Sequence, residues 1–223
     1  MGSLLASVLP LALGAAISPT LLALQLLVLA GETKRIARGW ALALGATLVL
    51  VGFIMVCATA LTRIAPHHVH HSTTGAIVYF VAAALLLGLA VRSQLPRPTS
   101  GEQHHSKLAE RLDAASTGWF VGAGALGMVV NFSTLVLVVP AVHLIKESEA
   151  GTAARLVATA MFVAVTLLPV VLPVLAVTVL GRRVDPALGA AHRWVTRNSR
   201  RIGVAIELIF ALYLVSRGIR DLP

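Results

Sequence analysis

The sequence predicts an all-α integral membrane protein: six transmembrane helices arranged as two inverted three-helix repeats, with the first and fourth spans broken near the midplane. Three observations predict it. Of 223 residues, 57% are hydrophobic and 12% are charged, about half the charge of a soluble domain. The apolar residues gather into six blocks, most of them near the roughly 20 residues that a hydrocarbon layer requires. The two halves of the chain also resemble each other in the order of their landmarks.

The first block is Ser3–Ala30. No Lys or Arg precedes it, so it reads as a span of the mature chain and not as a cleaved signal peptide. At its centre lies "GAAISPTL", Gly14–Leu21. Proline removes a backbone donor and frees the carbonyl four residues earlier. Serine followed by proline is also the favoured pair at a helix start, so this span is expected to be two half-helices, the second beginning near Pro19. Gln25, about two turns further on, either contacts substrate or makes an interhelical hydrogen bond.

The second and third blocks are Gly39–Leu61 and Gly75–Val91. Cys57, the single cysteine, lies inside the second and reads as a small buried hydrophobe. With no partner thiol it excludes paired-thiol redox chemistry. Between the blocks, "HHVHH" at His67–His71 has no carboxylate or cysteine beside it. It reads as a surface cluster, with metal binding or pH sensing as the alternatives, and no metal ligand set is assigned. The stretch 93–117 is rich in Pro, Ser and charge, which marks a cytoplasmic linker with an amphipathic turn around Leu108 and Leu112.

The fourth block, Trp119–Ile145, holds Asn131 about halfway along, followed by Ser133 and Thr134. The fifth, Leu156–Leu180, contains Pro169 and Pro173; with Pro140 these point to bent helices near a pathway. The stretch 182–201, "RRVDPALGAAHRWVTRNSRR", combines six arginines with Trp194 and is expected along the inner headgroup layer, either as an anchor or in contact with substrate. The sixth block, Ile202–Ser216, is short and carries Glu207, the one carboxylate within a block. An ionisable group in lipid is a functional residue by default. Glu207 is therefore either a proton carrier or the partner of a nearby arginine.

The halves align as 1–92 and 118–223, joined by 93–117. "GAAIS" parallels "GMVVN", which sets Ser18 opposite Asn131; "GAIVYFVAAALLLGLAVR" parallels "GVAIELIFALYLVSRGIR", which sets Tyr79 opposite Glu207. A unit of three spans must be followed by its copy upside down, the plan of many secondary transporters. The twofold would bring two half-helix N-termini together at the membrane centre. Each exposes free N–H groups and about half a positive charge, a site for a carboxylate, phosphate or sulfate. The alternative is a proline kink and a helix-packing asparagine. The candidate binding residues are Ser18, Pro19, Thr20, Gln25, Asn131, Ser133 and Thr134; Glu207 and Tyr79 are the candidate proton-coupling groups.

Charge sets orientation and excludes other classes. The first, third and fifth connections carry 13 of the 18 Lys and Arg residues, so the positive-inside rule places both termini outside the cytoplasm. The net charge of +9 sits between the apolar blocks, where it anchors the chain to anionic headgroups. No stacking aromatics or binding motif accompany it, which argues against nucleic acid. No nucleophilic triad, metal-protease motif or phosphate-cradling loop occurs, so neither an enzyme, a cofactor nor ATP hydrolysis is expected. Arginine exceeds lysine fifteen to three and alanine is abundant, which suggests a GC-rich bacterial genome.

The stretches "LPLALGAAISPTLLAL" (Leu9–Leu24), "MFVAVTLLPVVLPVLA" (Met161–Ala176) and "HRWVTRNSRRIGVAIELIFALYLVSRGIRDL" (His192–Leu222) span both halves. In them the chain resembles the actinobacterial family (GAP, or Sap-like) that addresses glycopeptidolipid and sulfolipid to the cell surface, within the lysine-exporter (LysE) superfamily. The resemblance implies a six-span inner-membrane protein, often dimeric, that moves envelope glycolipids or small solutes outward. The superfamily tends to carry Pro-Gly-Pro in the first span and Asn-Pro-Lys in the fourth. Here those positions read Ser18-Pro19-Thr20 and Asn131-Phe132-Ser133, so the lysine that would meet an amino-acid carboxylate is missing.

Together these readings lead to an exporter of an envelope glycolipid or related anionic amphiphile, working by alternating access, with Glu207 as the candidate group for proton coupling. The rivals are a small-solute exporter of the amino-acid type and a non-transporting scaffold of a lipid-export complex. The expected partners are membrane lipids, a lipid or small-molecule substrate, a second copy of the chain, and larger export machinery.

Overall fold

The computed structural model describes residues 2–31, 33–64, 71–94 and 115–220. The histidines at 67–70 and nearly all of the 93–117 linker lie outside the described residues, as do the side chains of 71–74. Every regular element among the described residues is helical: α1 (Gly2–Ala16), α2 (Pro19–Ala30), α3 (Arg35–Ile64), α4 (His71–Gln94), α5 (Thr117–Val130), α6 (Phe132–Glu147), α7 (Thr152–Leu180) and α8 (Asp185–Arg220). A single 3-10 turn over Gly181–Val184 separates the last two.

Three helical stretches are long and apolar enough to cross a membrane, or up to five if each bent pair counts as one span. The protein is therefore a multi-pass membrane protein. The bent pairs are α1 with α2, at 58°, and α5 with α6, at 70°, so both breaks read from the sequence are present. Six blocks give fewer countable spans because the fifth and sixth fall in one run, Thr152–Arg220. Within it the stretch 182–201 is helical almost from its start and continues unbroken into the sixth block. At 1.5 Å per residue the 36 residues of α8 reach about 54 Å, longer than the roughly 30 Å hydrocarbon core. Helix α8 is therefore longer than one crossing needs.

Chemistry sets the helix ends. Ser18 and Pro19 start α2, and Gly181 stops α7 at φ 63° and ψ −136°, a positive-φ conformation that glycine adopts without strain. The interior prolines Pro10, Pro140, Pro169 and Pro173 are carried within continuous helices.

The helix pairings follow an exchange pattern. α3 packs on α5, and α7 packs on α1. α2 meets α8, and α6 meets α4; α2 also meets α7, and α6 meets α3. α4 lies against α8, and α3 against α7. Exchanging α1–α4 with α5–α8 leaves this set of pairings unchanged. The α3–α5 crossing is so close that backbones touch: a Cβ on Gly45 would stand 1.9 Å from the Val121 carbonyl oxygen, and one on Gly124 would stand 2.0 Å from that of Leu42. Small residues permit such approaches where lipid gives no hydrophobic drive between helices. At one end of the bundle Arg35 pairs with Asp185 at 2.7 Å, which ties the α2–α3 connection to the start of α8.

Candidate functional site

The site begins at the two breaks. Ser18 is extended, at φ −113° and ψ 96°, and its Oγ accepts the Leu21 N–H at 3.3 Å, with Pro19 as first helical residue. Because Pro19 has no N–H, the Ala15 carbonyl loses its partner within the helix. In lipid an unsatisfied carbonyl is costly. Thr134 supplies the missing donor: its Oγ1 hydroxyl donates to the Ala15 carbonyl at 2.8 Å, across 119 residues of sequence. The hydroxyl of Thr134, a residue only 2% exposed, in turn accepts a hydrogen bond from Asn131 Nδ2 at 2.6 Å. The break in the first half is thus closed by residues at the break of the second.

Asn131 behaves differently from a capping residue. It ends α5 and precedes α6 at φ −80° and ψ 67°, outside the extended geometry of a cap, and its side chain makes no capping bond. The amide is engaged otherwise: Nδ2 donates to Thr134, and Oδ1 accepts from the Ser133 hydroxyl at 3.2 Å. The start of α6 consequently carries no side-chain cap, and its free N–H groups keep their affinity for an anion.

Beside this uncapped end lies a pocket of about 200 Å³. Thr20 from α2, Asn131 and Ser133 from the α5–α6 break, Arg92 from the end of α4 and Glu207 from α8 line it, with Leu89 and Phe132 forming its apolar edge. Four residues singled out in the sequence therefore meet here. Ser18, Pro19 and Thr134 do not line it; Ser18 and Thr134 are buried. The arrangement sets one guanidinium, one carboxylate and several neutral hydrogen-bonding groups around a small volume, as recognition of a polar, charged headgroup requires.

Two sequence candidates lie elsewhere. Gln25 is fully buried, and its Nε2 donates to the Gly39 carbonyl at 3.3 Å, which is the interhelical role. A Cβ on Gly39 would crowd that amide at 3.1 Å. Tyr79 sits 13 residues before Arg92 on α4, about 20 Å along the helix. It borders a second pocket, of about 480 Å³, together with Ser7, Glu147 and Arg217. Its ring meets His143 edge-on at 6.1 Å, and His143 Nε2 is 3.2 Å from Glu147 Oε2. Phe80 packs on Gly218, while Leu89 and Arg92 share a pocket with Glu207, so α4 and α8 run antiparallel. Residues equated by an inverted repeat then fall at opposite ends of the pair, which is why Tyr79 and Glu207 are apart.

The sequence reading missed Arg92 and His143. Arg92 was legible as the residue that ends a one-sided stripe, Leu85, Leu89, Arg92, at helical spacing. His143 was legible as a histidine in an apolar block with a glutamate four residues on. Among the described residues no group of three or more His, Cys, Asp or Glu is placed to hold a metal.

Comparison with known proteins adds the family. No curated protein and no solved structure matches the chain. Residues 8–220, nearly the whole length, match the family described as Sap, sulfolipid-1-addressing protein, and the chain belongs to that family.

Proposed function

We propose that this protein is a secondary transporter of the bacterial inner membrane that exports an anionic amphiphile of the envelope-lipid class, holding the headgroup in the pocket beside the α5–α6 break. The observation that carries the reading is the meeting of Arg92, Thr20, Asn131, Ser133 and Glu207 around the uncapped start of α6. The family description names a sulfolipid, by its name an anionic amphiphile, and an anion is what Arg92 and a helix start attract. The exchange pattern of the helix pairings supports two inverted repeats that rock about the shared breaks, and the concentration of Lys and Arg in the first, third and fifth connections supports termini outside the cytoplasm. No catalysis and no cofactor are needed for this role.

Glu207 supplies the coupling. An ionised carboxylate beside an anionic headgroup in about 200 Å³ is repulsive, so occupancy of the pocket and the charge state of Glu207 are linked. Transport by Glu207→Gln should lose its pH dependence; a wild-type pH profile would remove the proton role.

Native mass spectrometry of the purified protein tests the site. The wild type should retain an anionic lipid, and Arg92→Gln combined with Asn131→Leu should release it while the protein still elutes as a folded, monodisperse species. Retention of the lipid by the folded double variant would overturn the reading. A small-solute exporter is the reading that the volume of the polar pocket favours when taken alone; a retained metabolite in place of a lipid would select it.

A further inference from the structure

An apolar groove of about 530 Å³ opens between α3, α4 and α6. Its walls include Phe53, Val81, Leu85, Phe132, Val136 and Val139, without a polar side chain among them. Much of it faces outward: Val81 and Leu85 are each 54% exposed, and Phe132 is 52% exposed. Ala82, 3% exposed, forms the floor.

The groove continues the polar pocket. Phe132 belongs to both cavities and stands between Asn131 and Ser133 on one side and Val136 and Val139 on the other. On α4 the residues Val81, Leu85, Leu89 and Arg92 follow at spacings of four, four and three, so they form one stripe on one helix face. The first two line the groove and the last two line the pocket. From Val81 to Arg92 the stripe measures about 16 Å, close to half the roughly 30 Å hydrocarbon thickness. A cation thus ends an apolar track as long as one leaflet.

We propose that this groove seats one hydrocarbon chain of the same anionic lipid whose headgroup occupies the polar pocket, so that the substrate enters sideways from the leaflet on the Arg92 side. The inference rests on the headgroup reading of the pocket and adds where the chain lies and how the lipid arrives. Charge complementarity at Arg92 and continuity through Phe132 select a lipid of that leaflet. Sideways entry also explains why an apolar cavity opens beside a polar one, since the chain never leaves a hydrocarbon environment and only the headgroup needs a polar refuge.

The test uses the full-length protein in phosphatidylcholine nanodiscs containing a trace of phosphatidylglycerol with a photoactivatable diazirine midway along one acyl chain. After illumination, labelled peptides are mapped by mass spectrometry. Label should concentrate on the α4 and α6 walls, at 77–85 and 135–139. It should fall about tenfold in Arg92→Gln, the loss expected for one charge-assisted contact. Val81→Trp and Val136→Trp, which fill the groove, should each displace it, and Leu172→Trp, on an exposed face of α7, should not. Label spread evenly over the lipid-facing helices, or matched by a phosphatidylcholine probe, would overturn the groove while leaving the headgroup site standing on its mass-spectrometric test. Groove labelling indifferent to Arg92→Gln would overturn the shared occupancy and count against the headgroup reading as well.

Discussion

Replacing Thr134 with valine removes one hydroxyl at nearly constant shape and should destabilise the protein by about 2 kcal/mol. The hydroxyl is the donor to the Ala15 carbonyl at 2.8 Å, and that carbonyl has no helical partner because residue 19 is proline. Orphaning a buried acceptor costs about 1–3 kcal/mol, and interhelical hydrogen bonds measured in membranes reach about 1–2 kcal/mol. The same substitution also strips Asn131 Nδ2 of its acceptor. A double-mutant cycle with Pro19→Ala isolates the first term, because alanine restores an N–H at position 19 that can serve Ala15 without help. Reversible denaturant unfolding in mixed micelles is the assay. Thr134→Val should cost about 1 kcal/mol less in the Pro19→Ala background, a coupling well above the roughly 0.3–0.5 kcal/mol within which independent sites add. Equal costs in both backgrounds would refute the claim that Thr134 repairs the carbonyl freed by the proline.

Three further outcomes follow from the packing. Gly124→Val drives a side chain into the Leu42 carbonyl and should abolish a monodisperse peak in detergent size-exclusion chromatography, whereas Gly122→Val, with nothing within 4 Å, should elute as wild type. Gln25→Leu should cost about 1 kcal/mol of stability by removing the bond to Gly39, yet leave lipid retention in native mass spectrometry unchanged, because Gln25 lines no part of the pocket. The Arg35–Asp185 pair, whose side chains are 17% and 42% exposed, should give a coupling of only about 0.5 kcal/mol in a double-alanine cycle, shrinking with added salt.

What could be read in the sequence was local chemistry. A Ser-Pro pair favours a helix start inside the first block, the parallel between the halves pointed to a second break at Asn131, and both breaks are present. Membrane class followed from apolar length alone. What could not be read was long-range pairing: nothing near Asn131 announces that the Thr134 hydroxyl meets a carbonyl 119 residues away. Nothing in the sequence singles out Arg92 as a site residue, and only the antiparallel packing of α4 on α8 brings it to one pocket with Glu207. The same packing separates Tyr79 from Glu207, since inversion sends equivalent positions to opposite ends. The stretch 182–201 illustrates a further limit. Its arginines end an apolar block, but charge does not end a helix, and α8 continues through most of them without a break.

Lipid movement by the purified protein alone tests the transporter reading. Proteoliposomes would carry a headgroup-labelled fluorescent anionic lipid, with an impermeant quencher reporting its transfer between leaflets under an imposed pH gradient. Transfer by the wild type should depend on the gradient, be lost in Arg92→Gln, and become insensitive to the gradient in Glu207→Gln. No transfer by a folded wild-type protein, together with co-purification of a larger partner from cells, would contradict that reading and assign the chain to scaffolding.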